Sequence, residues 1–77
     1  MRILLFGRLG ETIGRELDYA LPPGGCTVAE LRAALAKEHA GLAAASVRAC
    51  IDQELAPETA LVLPGHEVAF IPPLSGG

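Results

Sequence analysis

The sequence predicts an α+β domain in which one main helix covers one face of a mixed sheet of four to five strands. Three observations predict this class: alternating apolar residues near both ends of the chain, a helix-capping motif followed by apolar residues at helical spacing between them, and a length of 77 residues. Because a domain of this length buries only about 60% of the surface of its unfolded chain, we expect a single modest core and no large enclosed cleft.

Composition and charge restrict the possible functions. With 51% hydrophobic and 19% charged residues, the chain has the composition of a globular protein. No apolar run approaches the ~20 residues that span a bilayer, and residues 1–7 are too short an apolar stretch for a secretory signal. We therefore expect a cytoplasmic protein without a membrane partner. The net charge of −3 and the six scattered Lys and Arg residues argue against a nucleic-acid partner.

The residue types that carry most enzyme chemistry are isolated in this sequence. Cys26 and Cys50 are too few and too far apart for a disulfide scaffold or a zinc site, so we expect two buried, reduced thiols and no bound metal. A hydrolytic or redox centre needs a nucleophile beside a base and an orienting group, and the sequence suggests no such trio. The chemistry is therefore expected at the chain terminus.

The amino-terminal part of the chain predicts two strands. Apolar residues on both faces of residues 2–7 indicate a strand that is covered on both sides. In residues 16–21, apolar residues occupy the odd positions and acidic residues occupy positions 16 and 18, which is the alternation of a half-buried strand. The glycine-punctuated residues 7–14 predict the connection of a hairpin, longer than a two-residue turn.

A helix is predicted to begin at Thr27. Thr27 and Glu30 form a capping box, in which the Thr27 hydroxyl accepts from the Glu30 amide and the Glu30 carboxylate accepts from the Thr27 amide. Val28, Leu31 and Leu35 then recur at helical spacing and predict the face that packs on the sheet. With Gly41 as a C-cap, the helix is expected to run to about residue 39.

The second half of the chain predicts two further strands and a short apolar segment. Alternation over residues 47–51 predicts a third strand with Arg48 and Cys50 on its outer face. Residues 52–59 are assigned to a turn and a loop, and residues 60–63 to the short apolar segment. Residues 67–71 are apolar on both sides, which favours a central strand.

This order of elements, with one helix crossing one face of the sheet, is the arrangement called β-grasp. If the side chains of Ile3, Leu5, Val68 and Phe70 face the helix, then Leu4, Phe6 and Ile71 face outward and form an apolar patch of the kind that marks a protein interface. The inverted assignment would instead place Phe6 in the core. Alternation by itself leaves both assignments open.

The last residues predict a tail that projects from the domain. We divide the chain into a domain of residues 1–71 and an extended tail of residues 72–77. Pro72 and Pro73 fix their own φ and restrict the preceding residue, so the tail is expected to leave the last strand stiff and straight. Gly76 and Gly77 have no Cβ, so the walls of a narrow channel in a partner could close around them, with Leu74 and Ser75 following the prolines into it. The alternative is an end without function, since termini are commonly disordered.

The terminal carboxylate is the candidate reactive group. A chain-terminal carboxyl has a pKa of about 3.3–3.7, so it is ionised at neutral pH and is a poor acyl electrophile. Activation as an acyl adenylate would make it an acylating group, and capture of sulfide would give a thiocarboxylate that donates sulfur.

Five segments, residues 3–7, 11–14, 27–31, 52–55 and 64–77, together resemble the small subunit of molybdopterin synthase, a sulfur carrier of the ubiquitin-like β-grasp superfamily. The resemblance covers essentially the whole chain, and its most specific part is the ending E-V-A-F-I-P-P-L-S-G-G. Two positions depart from the family pattern. His66 stands where the family usually has Asp, and Ile71 replaces a common second aromatic residue.

The resemblance implies a sulfur-transfer cycle. A ubiquitin-activating-type enzyme would use ATP to adenylate Gly77, and a sulfur-donating enzyme would convert it to the thiocarboxylate. The tail would then enter the large subunit of molybdopterin synthase and donate sulfur to cyclic pyranopterin monophosphate for the molybdenum cofactor. The chain would be a non-catalytic subunit with no permanently bound cofactor. Phe6, Leu55 and Ile71 match family positions that contact the large subunit, and the predicted outward face adds Leu4.

Three alternatives remain open from the sequence. The same chemistry serves carriers for thiamine thiazole, tRNA thiolation or cysteine synthesis, although the proline pair and the length favour the molybdopterin branch. A ubiquitin-like modifier would attach Gly77 to lysines of other proteins. A β-grasp binding module would have an inert tail.

Overall fold

The computed structural model describes residues 1–73. In chain order, its elements are β1 (Arg2–Leu5), α1 (Arg8–Thr12), β2 (Glu16–Asp18), β3 (Cys26–Thr27), α2 (Val28–Ala36), a 3-10 helix (Ala40–Ala43), β4 (Arg48–Ile51), β5 (Glu54–Ala56), β6 (Leu61–Val62) and β7 (Val68–Ile71). No helix within this part of the chain is long and apolar enough to cross a membrane.

Five strands form a mixed sheet in the order β2-β1-β7-β4-β5, and β3 pairs with β6 in a separate two-stranded sheet. β7 lies at the centre, parallel to β1 and antiparallel to β4. The predicted mixed sheet with one main helix is confirmed, and the apolar residues on both sides of residues 67–71 correctly indicated a central strand.

The core lies between α2 and the sheet. Ile3, Val68 and Phe70 are fully buried there, together with Val28 and Leu31 of α2. Side chains alternate between the two faces of a strand, so the neighbours of these strand residues belong to the opposite face. The assignment that places Phe70 against the helix is confirmed. The inverted assignment is wrong, since Phe6 is 51% exposed.

The capping box is present as predicted. Thr27 Oγ1 accepts from the Glu30 amide at 3.1 Å, and the Thr27 amide donates to Glu30 Oε1 at 2.8 Å. The predicted end of the helix is wrong, because α2 ends at Ala36 and Gly41 lies within the 3-10 helix. The chain turns after Ala36 in a way that places Leu42 fully inside the core, and the burial of this side chain overrides the C-cap signal of Gly41.

Several short elements were not predicted. The expected hairpin connection between β1 and β2 contains α1, which buries Leu9. The expected turn and loop of residues 52–59 contain β5, which pairs with β4 through a two-residue turn. Asp52 and Gln53 in that turn have φ of 50° and 69°, as the tight hairpin turn with two left-handed residues requires.

His66, which departs from the family pattern, takes part in the turn before β7. It is half-buried, and its Nδ1 atom accepts from the Leu63 amide at 3.0 Å. The Leu63 carbonyl in turn accepts from the His66 amide at 3.1 Å, and Gly65 between them has φ of 92°. His66 therefore supplies a hydrogen-bond acceptor to this turn, which is a role that an Asp carboxylate also fills.

One charged side chain is buried under the sheet. Arg32 of α2 is 9% exposed and forms a bidentate pair with Glu58, at 2.9 Å from Nε and 3.0 Å from Nη2. Its Nη1 donates to the carbonyls of Leu42 and Ala44 at 2.8 and 3.1 Å, and its guanidinium carbon lies 5.4 Å from the centre of the Phe70 ring. One side chain thus connects α2, the 3-10 helix, the loop after β5 and the central strand.

We expect Arg32→Ala to lower the free energy of unfolding by about 3 kcal/mol, because it leaves the carbonyls of Leu42 and Ala44 without this donor and removes the buried partner of a half-exposed ion pair. Urea denaturation measures this change. Arg2→Ala is the matched control, since Arg2 pairs with Glu16 at 3.4 Å but its side chain is 67% exposed. Its cost should stay below about 1 kcal/mol. Equal losses in the two variants would contradict the structural role of Arg32.

We expect the capping box to make stability depend on pH. The pKa of Glu30 is held below its ordinary value of 4.5, first by the Thr27 amide and then by the Thr27 hydroxyl. The unfolded chain therefore takes up this proton before the folded chain does as the pH falls. The stability contributed by the charged carboxylate is fully present above the unfolded pKa and is lost as the pH falls through the lower folded pKa.

Urea denaturation between about pH 3 and pH 7 tests this dependence. Glu30→Gln is the control, because Gln keeps an acceptor for the Thr27 amide and does not titrate. The stability difference between the natural chain and this variant should shrink as the medium is acidified. A difference that stays constant over the whole range would show that the Glu30 charge contributes nothing.

Candidate functional site

The sheet face that α2 does not cover, here called the open face, carries an apolar row. The strand registers place Leu4 beside Ala69, Ala69 beside Cys50, and Cys50 beside Leu55. These four residues cross β1, β7, β4 and β5 in one line. Leu55 at the edge of the sheet is 59% exposed, whereas Ala69, on the central strand between Leu4 and Cys50, is buried.

Phe6 and Ile71 extend the apolar surface towards the carboxy-terminal end of β7. Phe6 follows β1 directly, and Ile71 is the last residue of β7, half-buried and in register with the exposed Arg48. The structure therefore brings all four residues predicted to bind a partner, Leu4, Phe6, Leu55 and Ile71, to one face. Their role in partner binding stays a prediction.

The two cysteines have different environments. Cys26 is buried and Cys50 is half-buried on the open face; neither forms a disulfide. The expectation of two buried thiols is thus correct for Cys26 and wrong for Cys50, because the alternation of β4 turns Cys50 away from the core. The pKa of the Cys26 thiol is raised, chiefly by burial and secondarily by the Glu30 charge, so this thiol stays protonated and unreactive near neutral pH.

The segment after β7 begins against the end of β1. The Phe6 amide donates to the Phe70 carbonyl at 3.2 Å and continues the pairing of β1 with β7 by one more hydrogen bond. Pro72 is half-buried, and its ring lies beside Gly7, where a Cβ would stand 2.8 Å from Pro72 Cγ. The sequence places Gly7 at the end of the first apolar run, but nothing in it indicates that Gly7 lies against Pro72.

Two surface depressions flank the start of this segment. One, of about 380 Å³, lies between the two prolines and the chain preceding β4, and Arg48 and Leu55 line it. The other, of about 700 Å³, lies beside Phe6 and includes the charged residues Glu11 and Arg15. The depression beside the prolines is therefore mainly apolar, whereas the one beside Phe6 is lined by polar and apolar groups alike. Among residues 1–73, no three His, Cys, Asp or Glu side chains are grouped as metal ligands would be.

Several predicted site residues lie outside the described residues: Leu74, Ser75, Gly76 and Gly77. The predictions that the tail threads into a partner and that Gly77 is the reactive residue therefore stay predictions. Of the predicted tail, the structure describes Pro72 and Pro73, and Pro73 is exposed.

A five-stranded mixed sheet, one covering helix and an apolar open face define a protein of the ubiquitin-like β-grasp class. The chain belongs to the ThiS family, whose family profile matches residues 3–77. This family comprises ubiquitin-like sulfur carriers, which generally work with adenylating and sulfur-transferring enzymes.

Two crystal structures from Haloferax volcanii are similar to this chain. SAMP1 has 26% sequence identity and a TM-score of 0.72, with 99% of this chain and 97% of that chain covered. A structure of small archaeal modifier protein 1 has 23% identity and a TM-score of 0.70, with 95% of each chain covered. The second likeness shows the fold alone. No curated protein sequence matches this chain.

Proposed function

We propose that this chain is the sulfur carrier subunit of molybdopterin synthase, and that its Gly77 carboxylate donates sulfur to cyclic pyranopterin monophosphate. The observation that carries the proposal is that the central strand of a ThiS-family domain leads directly into a proline-led segment ending in Gly-Gly. Family membership supports the carrier chemistry. The sequence of residues 67–77 supports the molybdopterin branch.

The chemistry proceeds in two displacements. An oxygen of the Gly77 carboxylate attacks the α-phosphorus of ATP, and pyrophosphate leaves. A sulfur nucleophile then attacks the acyl carbon, and AMP leaves; with hydrosulfide, the product is the thiocarboxylate. Activation is needed because the terminal carboxylate is anionic and a poor acyl electrophile before adenylation. The adenylating enzyme supplies the catalytic groups and the ATP site, and this chain supplies the acyl group.

The open face suits the docking that such a cycle requires. Phe6 and Leu55 expose more than half of their surfaces, while Arg48 and the Arg2–Glu16 pair lie at the margin of the row. Interfaces commonly have an apolar centre and a polar rim, which is the distribution on this face. A partner bound here would also lie beside the point where the tail leaves the domain, so docking and delivery of the chain end would occur together.

Loading of Gly77 is the first test of this proposal. Incubation with ATP, sulfide and a ubiquitin-activating-type enzyme from the same genome should raise the intact mass by about 16 Da, as one oxygen is replaced by sulfur. Fragmentation should place the change on Gly77. Deleting Gly77, or adding a bulky residue after it, should abolish loading without altering urea stability. An unchanged mass for the natural chain would overturn the carrier function.

The molecule that accepts the sulfur distinguishes the molybdopterin pathway from the other sulfur-carrier pathways. A chain loaded with sulfur should support formation of molybdopterin from cyclic pyranopterin monophosphate when the large synthase subunit is present. Transfer to a thiazole precursor, a tRNA or a cysteine precursor instead would place the protein among the alternative carriers and would leave the loading chemistry intact.

Attachment to proteins is a second candidate function, favoured by the likeness to SAMP1. In that case a lysine amine would attack the Gly77 adenylate, forming an isopeptide bond and releasing AMP. The same incubation would then yield covalent adducts that persist after treatment with thiols. Lys37 is the one lysine of the sequence and is exposed, so adducts between copies of this chain through a lysine would disappear in Lys37→Arg.

We expect Phe6→Ala to weaken binding of the large synthase subunit by about 1–4 kcal/mol, as for an aromatic anchor at an interface. Isothermal titration calorimetry measures this loss. Unfolding stability should change by about 1 kcal/mol or less, because half of the ring is already in solvent.

Leu61→Ala is the matched control for Phe6→Ala. Leu61 is 48% exposed but lies in β6 of the small second sheet, away from the open face. Its truncation should leave the affinity unchanged. Equal affinities of the Phe6→Ala variant and the natural chain would show that the open face does not dock the large subunit.

A further inference from the structure

We infer that Gly7 is a positioning residue for the reactive chain end: by lacking a side chain, it seats Pro72 and so sets the direction in which the tail leaves the domain. The inference rests on the function proposed above and assigns a role to a residue that contacts neither ATP nor the acyl carbon. It concerns the rate at which a docked carrier presents Gly77, rather than the strength of docking.

Gly7 lies at a rigid corner between β1 and α1. It has φ of 57° and ψ of −136°, a conformation that side chains disfavour. Its carbonyl accepts from the amides of Gly10 and Glu11 at 3.0 and 3.4 Å. A Cβ on Gly10 would stand 3.0 Å from the Leu5 carbonyl oxygen, so the first turn of α1 lies close against the end of β1. The corner therefore has little room to move away from the tail.

Pro72 is fixed from its other side by the central strand. Ile71 is paired with Arg48, and the carbonyl of Phe70 accepts from Phe6. Pro72 then follows with a φ restricted by its ring. A side chain on Gly7 would place a carbon 2.8 Å from Pro72 Cγ, whereas ordinary van der Waals contact begins at 3.4 Å. The ring would have to move away from α1, towards the depression that Pro72 and Pro73 line with Ser46.

Such a displacement would change where the chain end arrives. Pro72 and Pro73 both have a φ restricted by their rings, so a shift at Pro72 is passed on to Pro73. Reactions between positioned groups are sensitive to this, because a misplacement of about 1 Å can cost about 100-fold in rate. The residues of the open face would be unchanged, and the partner would bind the carrier as before.

The test is the rate of Gly77 loading by the adenylating enzyme with ATP and sulfide, measured by intact mass as the carrier concentration is varied. Gly7→Ala should lower kcat by about 10–100-fold and leave KM unchanged. Gly65→Ala is the control for backbone strain. Gly65 also has a positive φ, 92°, but no atom lies within 4 Å of the position that a Cβ would take there. It should load at the natural rate.

A second pair of variants separates the contact from strain at Gly7 itself. Pro72→Ala removes the ring atom that a side chain at position 7 would meet, so it should lower kcat modestly with KM unchanged. Adding Gly7→Ala to Pro72→Ala should then cause no further loss. If Gly7→Ala lowers kcat by the same factor in the natural chain and in the Pro72→Ala variant, the inference is overturned. Should Gly7→Ala fail to fold, an unchanged kcat in Pro72→Ala alone overturns it.

The outcomes distinguish this inference from the function on which it rests. If the natural chain gains sulfur at Gly77 and Gly7→Ala gains it equally fast, the positioning role is wrong and the carrier function stands. If the natural chain is not loaded at all, the carrier function fails, and the positioning role fails with it.

Discussion

The pairing of β7 between β1 and β4 is the constraint on which the rest of the structure depends. It places Phe70 in the core, Ile71 on the open face and Pro72 against Gly7, in three successive residues. A slip of one residue would exchange the faces of Phe70 and Ile71 and expose the largest side chain of the core. Pro72 has no amide hydrogen to extend the ladder, so the sheet ends at Ile71, directly before the proline-led segment.

Arg32 supports this central strand from the helical side. Its guanidinium lies over the Phe70 ring while its donors bind Glu58 and the two carbonyls near the 3-10 helix. A small domain has few apolar residues with which to hold irregular segments, and here one long side chain connects two of them to the sheet. The cost of burying the charge is offset by the bidentate partner and by the backbone acceptors, which satisfy most of its donors.

Local signals in the sequence predicted the parts of the fold that local chemistry determines. The capping box located the start of α2, and the two-sided apolar character of residues 67–71 located the central strand. The two-residue strands β3 and β6 and the short helix α1 were missed, because such elements exist only through partners distant in sequence. Glu58 is 26 residues from Arg32, so no spacing rule indicated that this arginine is buried. The sequence left open which face of the sheet packs on α2, and the burial of Phe70 shows that Leu4, Phe6 and Ile71 belong to the other face.

The core and the proposed docking surface lie on different parts of this small domain. The core residues face α2, whereas Phe6, Leu55 and Pro73 are exposed. A substitution can therefore affect folding and leave the proposed docking unchanged, or the reverse, even at neighbouring residues of one strand. The corner at Gly7 combines folding with the proposed positioning of the tail, since its carbonyl accepts from the first turn of α1 while its α-carbon, which has no side chain, leaves room for the Pro72 ring. Glycine satisfies both requirements there: it permits the backbone conformation of the turn, and it leaves room for the Pro72 ring.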